Sequence, residues 1–131
     1  MGRKKFRNIR VDQILTYRLP AAGVMSILHR VSGAGLFLIL PFLIYLFGES
    51  VSTPQSFEKT LEIIKSPAVL LILFGVCWAY IHHFFAGIRH LICDFHIGLG
   101  KGDTNKWGII VIASALTTTF LVIYMVVTKI F

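Results

Sequence analysis

The chain has 131 residues, 56% of them hydrophobic and 15% charged, with thirteen Lys and Arg against six Asp and Glu and a formal net charge of +7. A soluble domain carries about 25% charged residues, and the few charges here are clustered, so that residues 31–48, 66–88 and 107–128 hold none. Each run reaches the length of about 18 residues that crosses the hydrocarbon layer as a helix, and what remains is too short for a soluble catalytic domain. A water-soluble enzyme and a free-standing nucleic-acid binder are thereby excluded. The expectation is an all-α integral membrane protein: three transmembrane helices in a bundle, with a basic N-terminal surface segment.

Residues 1–18 form that segment. Arg3, Lys4, Lys5, Arg7 and Arg10 are interspersed with Phe6, Ile9, Val11, Ile14 and Leu15, a composition suited to anionic headgroups or a partner surface. The apolar run that follows is longer than a signal-peptide core and ends without a small-x-small cleavage site, so it reads as retained. The transmembrane domain is taken as 19–131. Pro20 suits a first helical turn, and the first helix is expected over 19–48, ending before the turn that runs from Glu49 to Pro54. Residues 49–66 read as a loop with one short helix, and Pro67 opens a second long helix to about Cys93. A glycine-rich charged loop is expected from Asp94 to Lys106. Its Gly98, Gly100 and Gly102 follow no strand and lack phosphate-loop spacing. The third helix is expected over 107–128. Cys77 and Cys93 have neither a Cys-x-x-Cys nor an iron–sulfur spacing and read as packing residues.

Seven Lys and Arg precede Val31, while residues 49–66 hold two. The positive-inside rule therefore places the N-terminus and the 94–106 loop in the cytoplasm. The start of the first helix and the end of the second then share a leaflet, and their polar residues can meet.

Polar residues within a membrane span are candidates for function. The third helix offers only Ser114, Thr117, Thr118 and Thr119, whose hydroxyls can return to the backbone, and reads as scaffold. On the second helix, His83, Gly87 and His90 share one stripe, and His82, Ala86 and Arg89 share another. A histidine with glycine one turn away leaves room for a large flat group. His83 lies about 9 Å deeper than Arg89, where a neutral imidazole suits an axial ligand of haem iron. Arg89 and His90 then lie at the edge to meet propionates. From spacing alone, an interhelical hydrogen-bonding histidine with a snorkelling arginine fits equally well. No other residue of the chain is expected opposite His83 at matching depth, since His29 is shallower, so a second axial ligand has to come from another chain. On the first helix, Ser26 and Arg30 are i and i+4 on one face. A hydroxyl beside a guanidinium suits a quinone carbonyl oxygen gaining negative charge. An interfacial arginine beside a serine bonded to its own backbone is the alternative.

Ser26-Ile-Leu-His29-Arg30-Val-Ser32-Gly33, followed by His83-x-x-x-Gly87-Ile-Arg89-His90-Leu-x-x-Asp94, resembles the cytochrome b subunit of succinate dehydrogenase, complex II. The three-helix layout, the chain length and the Arg18-Leu-Pro20 lead-in fit as well, so the resemblance covers nearly the whole chain. Asn8-Ile9 replaces the family's usual Arg-Pro pair, and Cys93 and His96 stand where an aromatic or Met and a small residue are usual. The resemblance implies His83 as axial ligand of haem b and the metal-binding residue, with His29, Arg30 and His90 as propionate neighbours. It also implies Ser26 and Arg30 as part of the ubiquinone site. Asp94 is a candidate for proton delivery, and none of these residues is catalytic alone. The implied partners are a second small membrane-anchor subunit carrying the other haem ligand, an iron–sulfur subunit and a flavoprotein subunit, within membrane lipid and with no nucleic acid. The location implied is a bacterial inner membrane, multi-pass, with a mitochondrial inner membrane as the other case. Two rivals stand beside this: the anchor of a quinol:fumarate reductase, and a cofactor-free scaffold or transporter subunit, for which no internal repeat or broken helix is visible.

Overall fold

The computed structural model describes residues 19–130, so the basic segment 1–18 lies outside the described residues. Four helices follow one another: α1 (Ala21–Ser52), α2 (Pro54–Lys65), α3 (Pro67–Asp94) and α4 (Lys101–Ile130). α1, α3 and α4 are long and apolar enough to cross a membrane and pack against one another in a three-helix bundle. Large apolar side chains face outward: Phe37 and Leu38 are about three-quarters exposed, and Tyr80, Leu91, Phe120 and Leu121 also point away from the bundle. The small interior gathers around Met25 of α1, Ala86 of α3 and Val111 of α4. Such an outward apolar surface is what lipid or partner helices cover.

Two helix ends differ from the sequence-based expectation. α1 runs past Gly48 to Ser52 because the polar residues there satisfy their own turn: Ser50 Oγ donates to the Phe47 carbonyl at 2.7 Å and Ser52 Oγ to the Glu49 carbonyl at 3.0 Å. Thr53 ends it, in extended conformation before Pro54, as a residue preceding proline must be. The Thr53 hydroxyl then accepts from the Ser56 N–H at 3.1 Å and opens α2, an N-cap with proline at N1. At the other end, α4 begins at Lys101, not Trp107, and the connection after α3 shrinks to residues 95–100. Loss of apolarity marks the membrane boundary, and a helix continues beyond it wherever its polar residues remain helical.

The short α3–α4 connection is tight. His96 has φ 62° and Gly98 φ 74°. The left-handed backbone at His96 costs a side-chain-bearing residue about 1–2 kcal/mol, and this is the position where small residues are usual in the family resembled. A Cβ on Gly98 would lie 2.7 Å from Trp107 Nε1. The start of α1 is pinned to the first turns of α4: the Ala21 N–H donates to Asn105 Oδ1 at 2.7 Å, satisfying one of the free N–H groups of the first turn. Gly108 permits this approach, since a Cβ there would meet the Ala21 and Ala22 backbone at 2.7–2.9 Å.

Candidate functional site

α1 and α3 are antiparallel, so the first third of α1 lies against the last third of α3. His29, Ser32 and Gly33 meet His83, Gly87 and His90 there. Three imidazoles form a column. His29 stacks on His83 with ring centroids 4.1 Å apart and planes 14° from parallel, and His90 tilts against the other side of His29 at 5.1 Å. The expectation that no residue of the chain sits opposite His83 is corrected: His29 meets it directly, through its stacked ring and its backbone carbonyl. The two rings lie face against face, which leaves no space for a flat group between them.

His83 is held on its Nδ1 side. Nδ1 is 3.0 Å from the His29 carbonyl oxygen and 3.3 Å from Ser32 Oγ, and Ser32 Oγ donates to the same carbonyl at 2.9 Å. A carbonyl oxygen only accepts, so Nδ1 carries the hydrogen, and in the neutral imidazole Nε2 keeps its lone pair. Histidines that ligate metals are oriented in this way, by a hydrogen bond from the other ring nitrogen to a carbonyl. The ring fits into a notch at Gly33, where a Cβ would come within 2.8 Å of His83 Cε1. The approach at Gly87 is looser, since a Cβ there would be in ordinary contact with His29 Nε2 at 3.8 Å. Ser32 and Gly33 stand in the motif without a distinct role in the sequence reading. The signal was their place at i+3 and i+4 from His29, on the face that α3 packs against.

Ser26 is half-buried and Arg30 is exposed at the same end of the bundle, and neither makes a hydrogen bond among the described residues. Both lie on α1 within one turn of His29. Asp94, the last residue of α3, is exposed.

The second stripe of α3 turns inward. His82 is completely buried by this chain alone, stacked on Trp78 at 5.3 Å. Arg89, expected at the edge beside His90, instead lines a groove of about 380 Å³ between α3 and α4 with Trp107, Ser114 and Thr118. A step of 100° per residue carries it onto the α4 side. No group of three or more His, Cys, Asp or Glu converges as a metal site among the described residues. Among the described residues, the imidazole of His83 has the orientation that a single metal-ligating histidine needs, with Nδ1 turned to a carbonyl.

The chain is similar to known proteins over this whole region. Residues 4–122 match the family described as succinate dehydrogenase/fumarate reductase transmembrane subunit. The succinate dehydrogenase cytochrome b556 subunit of Paracoccus denitrificans is 30% identical over 105 residues, covering 80% of this chain and 81% of that one. The protein of the same description from Coxiella burnetii is 28% identical over 110 residues, covering 82% and 87%. The mitochondrial succinate dehydrogenase cytochrome b560 subunit of Sus scrofa is 34% identical over 105 residues, covering 76% of this chain and 60% of that one.

Proposed function

This chain belongs to the succinate dehydrogenase/fumarate reductase transmembrane subunit family, as a membrane anchor that is not catalytic by itself, and from that premise we propose that it is the haem b anchor of a succinate:ubiquinone oxidoreductase. In this reading it holds the flavoprotein and iron–sulfur subunits on the cytoplasmic face of a bacterial inner membrane. It also forms part of the ubiquinone site, and a second small anchor subunit would supply the other haem ligand. The observation that carries the reading is the Nδ1 hydrogen bond of His83 to the His29 carbonyl, which leaves the Nε2 lone pair for a ligand such as iron. The names of the relatives, cytochrome b556 and b560 subunits, point to the same cofactor.

Each residue has a physical task. His83 would hold the haem through Nε2, with Ser32 and the His29 carbonyl fixing its tautomer and the Gly33 notch fixing its ring plane. His29, Arg30 and His90, gathered at one end of the bundle, would offset the negative charge of the propionates. When bound, the haem supplies a one-electron redox centre within the hydrocarbon layer. Ser26 and Arg30 would donate hydrogen bonds to one ubiquinone carbonyl oxygen. The guanidinium has the larger effect because charge builds on that oxygen as electrons arrive from the iron–sulfur subunit. Asp94, exposed at the end of α3, would pass protons from the cytoplasm to the reduced quinone.

The test is a reduced-minus-oxidised absorbance spectrum of the complex purified with its native partners in mild detergent. The expected result is a b-type band of about one haem per copy of this chain, at least partly reduced by succinate. A complex without the band would return His83 to helix packing and leave a cofactor-free scaffold. A band answering only to a strong chemical reductant would keep the haem and reject the electron donor.

A further inference from the structure

Among the described residues, four buried side-chain atoms lack a hydrogen-bond partner: Trp78 Nε1, His82 Nδ1, His82 Nε2 and Arg89 Nε. All four lie along one side of α3, at i, i+4 and i+11, over about 16 Å of helix. A buried polar group without a partner is strongly disfavoured, and more so within a membrane, where lipid offers no substitute. A haem or a partner subunit cannot reach His82, because this chain alone already encloses it. The Met25 backbone lies beside its ring outside hydrogen-bonding geometry. The missing partners of His82 must therefore be small and inside the bundle.

Their chemistry is set by the groups they meet. The indole N–H and the arginine Nε–H only donate, whereas a neutral imidazole offers one donor and one acceptor. A phosphate or carboxylate would serve Arg89 but not the acceptor nitrogen of His82. Water, with two donors and two acceptors, matches the whole set. At its Arg89 end the stripe opens into the groove of about 380 Å³ between α3 and α4, whose lining includes Ser114 and Thr118 among apolar residues such as Phe85, Ile88 and Val111. That is room for several waters at about 30 Å³ each. Between Arg89 and His82 the same face carries Phe85, which also lines the groove, and Ala86.

We propose that the α3–α4 interface is a hydrated seam: ordered water fills the groove at Arg89, Ser114 and Thr118 and continues inward to bridge His82 and Trp78. The seam lies on the face of α3 turned away from the His29, His83 and His90 column, and it does not depend on haem binding. It gives His82 a role that the sequence motif leaves open. His82 is the inner water-binding residue of the bundle, and not a second candidate for iron.

The sign of a stability change tests this in the assembled complex. Removing a partner from a satisfied polar network destabilises, whereas removing an unsatisfied buried group stabilises. The expected result for His82→Leu is a thermal midpoint lower by about 2–4 °C. His82→Gln, which keeps a donor and an acceptor, should retain most of the native value. An unchanged or raised midpoint for His82→Leu overturns the proposal. Should His82→Leu fail to assemble, near-isosteric Ser114→Cys decides. In a background lacking Cys77 and Cys93, it should react with a water-soluble, membrane-impermeant thiol reagent several-fold faster than outward-facing Leu116→Cys. Equal protection of the two overturns the seam.

Discussion

On one side of α3, His83 and His90 meet the backbone and imidazole of α1, with Nδ1 of His83 bound at 3.0 Å and its ring seated at Gly33. On the adjacent side, one residue earlier, His82 is sealed between Trp78 and the bundle interior with neither nitrogen paired. The residue type is the same and the depth nearly so, yet one ring has its tautomer imposed and a nitrogen left for an external ligand. The other is enclosed by the chain itself, out of reach of a haem or a partner subunit. What separates them is a 100° turn of the helix and the identity of the facing residue, a glycine near an accepting backbone carbonyl in one case and the apolar Met25 in the other. A histidine inside a membrane is thus not by itself a ligand. The hydrogen bond at its other nitrogen decides whether it is ready to become one.

Five substitutions would break or sharpen this contrast. His83→Ala should abolish the b-type band in the difference spectrum, whereas His82→Leu should leave it. Loss of the band with His82→Leu and retention with His83→Ala would exchange the two assignments. Arg30→Ala should lower ubiquinone reduction by about 10²–10³-fold, the scale for removing one charge-stabilising donor, while the haem content stays near one per copy. Steady-state succinate:ubiquinone assays alongside the spectrum separate those effects. Gly33→Ala forces a methyl to within 2.8 Å of His83 Cε1 and should destabilise the α1–α3 contact by about 1–3 kcal/mol, read as faster haem loss on heating. Ser32→Ala should keep the haem but shift its midpoint potential by tens of millivolts, with about 59 mV corresponding to 1.4 kcal/mol for one electron. An unmoved potential would show that the carbonyl alone orients His83.

Much of this was legible in the residues. Charge-free runs of 18, 23 and 22 residues mark the three spans, because only an uninterrupted apolar helix satisfies its backbone inside lipid. The 3.6-residue period assigns His83, Gly87 and His90 to one stripe and His82 to another, and the basic N-terminus led to the expectation that the start of the first helix meets the end of the second. Helix ends were less legible. Ser50, Ser52 and Glu49 look like a turn, yet their hydroxyls close hydrogen bonds within the helix. Lys101 to Lys106 look like a loop, although they begin α4.

The sequence by itself therefore determined the membrane class, the number of spans and the polar stripes, since these follow from composition and period, which are local. Only the tertiary structure decided which stripe faces which helix. The stacking of His29 on His83, the backbone partner of His83, the turning of Arg89 toward α4 and the enclosure of His82 all depend on how far each helix rotates about its axis. They depend too on how closely two backbones approach, and those distances are set by small residues, Gly33 against His83 and Gly108 against Ala21, acting between segments about 50 to 90 positions apart.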